Sequence, residues 1–177
     1  CSLELLRGMY LDIPTPQTAF IVLCAEPYVA INAYADLLAQ RYGALGRNVF
    51  EYDLANTSEA ELISMLKEFA CTIEAGQITR PLILFKNMQS YTSPFAARLK
   101  RTLSTLYQKS CSFLITTHSE HKQFFEGLPE AFICYGSDIR VHGDQIFRLQ
   151  HPASQGCLQE LYELSHGIIN LLECGLA

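Results

Sequence analysis

The residues best suited to chemistry stand where short apolar runs of this sequence end. They are Glu26, Asp53, Lys86, Asn87, Thr117 and His118. If the runs form parallel strands, their carboxyl ends meet at one edge of the sheet, where such folds bind ligands. Lys86 beside Glu26 or Asp53 would form a buried ion pair there, or an acid/base pair if desolvation shifts a pKa. One interpretation is therefore an enzyme or small-ligand-binding protein that uses a crevice at the strand ends.

Two histidines, His118 and His121, flank Glu120 at a spacing that can place both imidazoles on one helical turn. A zinc site needs at least three protein ligands, and the spacing identifies no third one. We therefore predict no metal site and interpret this segment as a polar helix start. A Cys/His nucleophilic pair stays open because its members need not be sequence neighbours, although no local signature of a cysteine hydrolase is present.

Helix and strand patterns alternate, which predicts an α/β fold with a mostly parallel five-stranded sheet flanked by helices. Apolar runs predict strands at residues 19–24, 48–53, 81–86, 112–117 and 145–149. Helices are predicted at residues 29–42, after Ser58, from Ser93 onward, and at residues 157–174. Residues 120–144 are expected to form a short helix and loops. We predict one domain at residues 1–150, with residues 151–177 as a helical extension packed on it.

The composition is that of a globular chain with a substantial core, with 49% hydrophobic and 18% charged residues among 177. A formal net charge of −5 argues against a large sequence-independent nucleic-acid interface. No apolar run approaches the roughly 18 residues of a membrane span. Seven irregularly spaced cysteines without a C-x-x-C motif indicate reduced, mostly buried thiols in a cytoplasmic or nuclear protein. Because the sequence begins at Cys1, we expect a processed chain or a fragment of a longer protein.

Residues 20–42 have the order of a strand, a turn as long as a phosphate-binding loop, and a helix. A working loop needs glycines, a Lys and a Ser or Thr for phosphate and Mg²⁺, and residues 25–32 contain none of these. Four apolar residues, 82–85, then precede Lys86 and Asn87. In order and spacing, residues 18–150 resemble the AAA+ branch of the P-loop NTPases, and within it the clamp-loader and initiator-type modules.

This resemblance implies a nucleotide-binding architecture that has lost its catalytic residues. Ala30, Ile31 and Asn32 take the places of the loop's Gly, Lys and Thr or Ser. Lys86 and Asn87 take the places of the metal-binding Asp and the catalytic Glu, so that Mg²⁺ is repelled and a general base is missing. Thr117 or His118 fills the place of the residue that positions the attacking water. We therefore expect no nucleotide cofactor.

The resemblance also implies a protein partner. Inactive modules of this kind occur in clamp loaders and origin-recognition assemblies, and as luminal activators of torsin ATPases. We accordingly expect a non-catalytic subunit or regulator that acts in protein assembly, with an ATPase as partner and nucleic acid involved only indirectly.

Four residues are candidates for contacts with such a partner. Arg140 is the nearest counterpart of the family's arginine finger. Tyr28 replaces loop residues that would otherwise approach phosphate, and it either fills the vacant cavity or anchors a partner. Arg98 and Arg101, three residues apart on the third helix, form either a partner patch or an ordinary solvated face.

Overall fold

The computed structural model describes residues 19–26, 29, 31–88, 93–136 and 155–165. Strands and helices alternate in these residues, as the sequence predicts. In chain order they are β1 (Phe20–Ala25), α1 (Ile31–Ala44), β2 (Val49–Asp53), α2 (Glu59–Glu74), β3 (Leu82–Lys86), α3 (Ser93–Gln108), β4 (Ser112–His118), a 3-10 turn (Ser119–His121), α4 (Lys122–Glu126), β5 (Phe132–Tyr135) and α5 (Gln155–Ser165). None of the helices in this part of the chain combines the length and the apolar character that a membrane crossing requires.

In the part of the chain that the structure describes, the sheet has five parallel strands in the order β2-β3-β4-β1-β5. β1 lies between β4 and β5 and is buried along its whole length. The register pairs Asp53 with Lys86 and Ala25 with His118. Because all strands run the same way, these residues lie at one side of the sheet, which we call the carboxyl edge.

The first four predicted strands are confirmed to within one residue at each end. The segment expected to contain a short helix and loops has the short helix α4 and, in addition, the strand β5. β5 is a short apolar run between Pro129 and Gly136, and these two loop-forming residues favour a loop at this place in the sequence. It is an edge strand of the sheet as described, and Phe132 and Tyr135 are 57% and 36% exposed. The strand predicted at residues 145–149 lies outside the described residues, as does the end of the predicted last helix.

Helices cover both faces of the sheet. α1 packs on one face together with Leu161 and Tyr162 of α5. α2 and α3 pack on the other face through stripes that include Leu66 and Leu99. Successive residues of β1 enter opposite cores, which explains why a central strand is a continuous apolar run in the sequence.

The start of α2 confirms the helix boundary predicted after Ser58. The Ser58 hydroxyl accepts a hydrogen bond from the Glu61 backbone N–H at 3.3 Å, and the Ser58 backbone N–H donates to Glu61 Oε2 at 2.7 Å. This capping box satisfies two backbone groups, and its hydrogen bonds from Ser58 lower the pKa of Glu61.

Three cysteines, Cys24, Cys111 and Cys134, are buried among apolar side chains, as the sequence predicts. Burial raises the pKa of Cys111 to about 12, so its side chain stays a neutral thiol. These cysteines therefore serve as small hydrophobic residues of the core.

Candidate functional site

The carboxyl edge gathers polar side chains from α1 and from three neighbouring strands. Lys86 is the last residue of β3 and Asn87 follows it, Asp53 ends β2, and Thr116 lies near the end of β4. Asn32, in the first turn of α1, faces them. These groups form hydrogen bonds and ion pairs with one another, and the partners of each group determine its chemistry.

Lys86 is held in an ion-pair cluster on the α1 side of the sheet. Leu82 and Leu84 enter the core on this side, and the two-residue period of a strand places Lys86 there as well. Its Nζ lies 2.6 Å from Asp36 Oδ1 on α1 and 2.5 Å from Glu51 Oε1 on β2. The sequence suggested Glu26 or Asp53 as the partner of Lys86, and the structure gives that place to Asp36 and Glu51.

The environment of Lys86 keeps its ammonium group charged. Its side chain is only 14% exposed, and this desolvation acts to lower the pKa of Lys86. The hydrogen bonds and charges of Asp36 and Glu51 outweigh desolvation, so the pKa of Lys86 is raised above its ordinary value. Lys86 therefore works as a permanent cation that joins three elements, and it is unsuited to act as a general base near neutral pH.

Beside this cluster, four side chains form a hydrogen-bonded chain that we call the edge network: Thr116, Asn32, Asn87 and Asp53. The Thr116 hydroxyl donates to Asn32 Oδ1 at 2.7 Å, and Asn32 Nδ2 donates to Asn87 Oδ1 at 3.0 Å. Asn87 Nδ2 then donates to Asp53 Oδ1 at 2.8 Å. The donors all point the same way, from the Thr116 hydroxyl to a carboxylate, so each bond polarises the next.

The backbone at Asn87 is shaped to close this network. Its φ of 58° lies in the left-handed region, which Asn tolerates better than most residues. The Asn87 N–H donates to Thr116 Oγ1 at 2.9 Å, and the Met88 N–H donates to the Thr116 carbonyl at 2.9 Å. Thr117 is fully buried, and its hydroxyl donates to the Met88 carbonyl at 3.1 Å. The segment after β3 is thus fastened to β4, and Thr117 serves this structural purpose.

Glu26 and His118, at the ends of β1 and β4, are not members of the edge network. The Glu26 carbonyl accepts a hydrogen bond from the Val29 N–H at 3.0 Å. Glu120 Oε1 lies 3.9 Å from His118 Nδ1 and 3.2 Å from His121 Nε2. Within the described ranges, no group of three or more His, Cys, Asp or Glu side chains could hold a metal ion.

The structure describes two of the four residues that are candidates for contacts with a partner. Arg98 and Arg101 are exposed on α3, where Leu99 and Leu103 point into the core as predicted. Tyr28 and Arg140 lie outside the described residues.

Sequence reasoning missed Asp36, Glu51 and Thr116 as edge residues. Local spacing carries a faint signal for the first two. Asp36 lies one helical turn after Asn32, and Glu51 lies two residues before Asp53 on the same face of β2. Their convergence on Lys86 depends on the packing of α1 against the sheet, which spacing alone does not reveal.

The carboxyl group of Asp53 provides a pH-dependent test of the edge network. The Asn87 amide and the Ala55 backbone N–H hold the pKa of Asp53 below its ordinary value. A lowered folded-state pKa adds stability above the unfolded-state pKa, and this stability is lost as pH falls through the folded-state pKa. Asn87→Gly keeps the left-handed backbone and removes the amide donor. We expect the difference in unfolding free energy between wild type and Asn87→Gly to shrink between about pH 6 and about pH 2, measured by urea denaturation.

Asn48→Ala is the matched control for this titration. Asn48 Nδ2 donates to the Thr79 carbonyl at 3.2 Å, so this substitution removes a hydrogen bond with no titrating partner. Its effect on the unfolding free energy should not change over the same pH range. If the difference in unfolding free energy between wild type and Asn87→Gly also stays the same over this pH range, the Asn87–Asp53 hydrogen bond does not make stability depend on pH.

Comparisons with known proteins identify solved structures of similar fold. No protein-family model matches the sequence, and no curated protein matches it either. Among solved structures, a replication initiator DnaA bound to AMPPCP and single-stranded DNA matches with a TM-score of 0.58 and 11% identity, over 98% of this chain and 58% of that one. AMPPCP-bound DnaA from Aquifex aeolicus matches with a TM-score of 0.56 and 11% identity, over 96% and 57% of the two chains. C. elegans PCH-2 matches with a TM-score of 0.50 and 12% identity, over 99% and 65%.

These matches define the architectural class of the chain. Its five-stranded parallel sheet, flanked by helices, is similar to the fold of these AAA+ structures. At 11 to 12% identity the likeness concerns the fold alone. The chain spans less than two thirds of the length of each of these three structures.

Proposed function

We propose that this chain is a non-catalytic AAA+-like subunit or regulator that acts in protein assembly, with an ATPase as its partner. One observation carries the proposal. The edge where this fold would place a Mg²⁺-nucleotide holds Lys86 bound to Asp36 and Glu51, next to the edge network. The polar groups of that edge bond mainly to one another.

The chemistry of these groups is unfavourable for NTP hydrolysis. Mg²⁺ prefers carboxylate and other oxygen ligands, and the Lys86 ammonium stands where the Walker B carboxylate would be. Asp36 and Glu51 compensate that ammonium, so recruiting them as metal ligands would leave Lys86 unpaired in a mostly buried position. Asn87 has no titratable proton and cannot activate water.

The alternative, an enzyme or small-ligand-binding protein that uses the strand-end crevice, is less well supported. Such a site needs polar groups that are available to a ligand. Lys86, Asn87 and Thr117 are engaged in bonds within the chain. The exposed Asp53 carboxylate is also engaged, by Asn87 and Ala55.

A steady-state hydrolysis assay tests the non-catalytic role. We expect purified protein with Mg²⁺-ATP or Mg²⁺-GTP to release phosphate no faster than a protein-free control. Asn32→Ala, which breaks the edge network, serves as the diagnostic variant. Turnover that the wild type shows and Asn32→Ala lacks would assign catalysis to the carboxyl edge and overturn the proposal.

Arg140 is the proposed contact to the partner's active site. An arginine supplied in trans stabilises the charge that develops on a transferring phosphoryl group. With a partner ATPase identified, Arg140→Ala should lower the stimulated rate while binding is retained. If the substitution leaves both the partner's rate and its binding unchanged, Arg140 has no such role.

A further inference from the structure

α2 and α3 lie on the face of the sheet opposite α1 and leave a surface groove between them. Two cavities of about 450 and 370 Å³ open along this groove. Both have Lys67 of α2 and Arg98 of α3 in their walls, so we treat them as one feature and call it the α2–α3 groove. Every residue that lines it belongs to one of these two helices.

The floor of the α2–α3 groove is apolar. It is formed by Ile63, Leu66, Phe95 and Leu106, whose exposed fractions are 7%, 0%, 7% and 1%. These side chains also belong to the core beneath the two helices. Ala60, Ala70 and Thr102 beside them are more accessible, so the groove exposes a shallow apolar strip between the two helices.

The rim of the groove is basic. Lys67, Arg98 and Arg101 are exposed, and none of them forms an ion pair with a carboxylate of the described residues. Neighbouring cations are engaged elsewhere, since Lys109 pairs with Glu74 and Lys100 lies 5.0 Å from the centre of the Phe124 ring. Glu59, at one end, is the single acidic residue of the lining. Although the net charge of the chain is −5, the groove thus carries three cations that no carboxylate of the described residues pairs with.

We propose that the α2–α3 groove binds an acidic amphipathic helix of the protein partner. The apolar stripe of that helix packs on the shallow apolar strip, and carboxylates beside the stripe pair with Lys67, Arg98 and Arg101. Two roughly parallel walls of helix with an apolar floor fit the helix-in-groove mode of recognition, and the charge of the rim selects acidic flanks. This assignment rests on the proposed function, because it names the surface and the kind of segment through which the partner is held.

The lining favours an acidic helix over a nucleic acid. Single-stranded nucleic acids are bound by exposed aromatic platforms that stack on bases. The one aromatic residue of the groove, Phe95, is only 7% exposed and cannot offer a ring face of that kind. Three cations over an apolar floor match a short peptide better than a phosphate backbone, whose binding depends on many charges.

Selection from a displayed peptide library tests this assignment. The library carries helices as long as α2, 16 residues, with a fixed Leu stripe and with Glu, Lys or Gln at random in the other positions. We expect the selected peptides to be enriched in Glu beside the stripe. In anisotropy titrations of a selected, fluorescein-labelled peptide, Lys67→Glu and Arg98→Glu should each weaken binding about tenfold or more, and added salt should weaken it further.

Arg41→Glu is the matched control, because Arg41 is exposed on α1, across the sheet from the groove. It makes the same charge change and should leave peptide affinity unchanged. Circular dichroism and urea unfolding verify that each variant is folded, and Arg98→Gln, which removes a charge without reversing it, should weaken binding less than Arg98→Glu.

Three results would overturn the assignment: no enrichment, enrichment of basic or neutral peptides, or binding that ignores Lys67→Glu and Arg98→Glu. Tight binding of a labelled single-stranded oligonucleotide through the same cations, with no selected acidic peptide, would also overturn it in favour of a nucleic-acid site. None of these results bears on NTP hydrolysis. Phosphate release by the wild type would conversely overturn the non-catalytic role while leaving the peptide result intact.

Discussion

Replacing Lys86 with Met should lower the free energy of unfolding by about 3 kcal/mol. The substitution keeps most of the side-chain volume and removes the cation that compensates both Asp36 and Glu51. Breaking a fully buried ion pair costs about 3–5 kcal/mol, and we expect the lower end because the Asp36 and Glu51 side chains are 36% and 54% exposed. Urea denaturation at neutral pH measures the difference.

Lys109→Met is the matched control. Lys109 also pairs with a carboxylate, that of Glu74, but both side chains are substantially exposed. Exposed pairs contribute about 0–1 kcal/mol, so this variant should stay close to wild type. If both substitutions lower the free energy of unfolding equally, the burial of Lys86 does not strengthen its ion pairs.

The raised pKa of Lys86 fixes how this difference depends on pH. A group whose folded-state pKa is raised contributes its full stability below its unfolded-state pKa and loses that stability as pH rises through the folded-state pKa. The gap between wild type and Lys86→Met should therefore persist at neutral pH and narrow only in strong alkali. The same stability curves, repeated at alkaline pH, check this expectation.

Thr116→Val should lower the free energy of unfolding by about 2–4 kcal/mol. Valine nearly matches the shape of threonine but has no hydroxyl, so the Asn87 N–H and Asn32 Oδ1 each lose a partner. Thr116 is fully buried, and water cannot readily replace its hydroxyl. Thermal and urea unfolding of the variant measure the loss.

Thr116→Ser separates the hydrogen bonds from packing. It keeps the hydroxyl and removes one methyl group, which should cost about 1 kcal/mol. A serine variant clearly more stable than the valine variant would support the edge network. If valine is tolerated as well as serine, the network does not hold this edge together.

The sequence predicted the central part of this fold well because burial on both faces leaves a strong local signal. β1, β3 and β4 are continuous apolar runs, and Ser58 marks the start of α2 through a local capping box. β5 is also an apolar run, but it has only four residues and stands between Pro129 and Gly136, which favour loops.

The carboxyl edge was harder to predict because its bonds join distant parts of the chain. Side chains alternate along β4, so Thr116 lies on the face of the sheet that α1 covers and Thr117 lies on the opposite face. A prediction that picks the neighbouring residue therefore picks a side chain on the wrong face of the sheet. Sequence pointed to Thr117, whereas Thr116 is the residue that joins the network.

The sequence likewise predicted only part of the α2–α3 groove. The spacing of Arg98 and Arg101 on α3 was sufficient to place both on one outer face. Lys67 comes from the facing helix, and its place in the same groove follows from the packing of α2 beside α3.

We propose that this chain, whose fold is similar to that of AAA+ structures, does not hold nucleotide at its carboxyl edge. Titration of fluorescent ATP and GTP analogues, with and without Mg²⁺, followed by anisotropy and by competition with unlabelled nucleotide, tests it most directly. We expect no saturable signal with the wild type, and none with Lys109→Met as a second folded protein. Saturable, competable binding at about micromolar concentration, lost in Asn32→Ala, would contradict the claim and place nucleotide at the edge network.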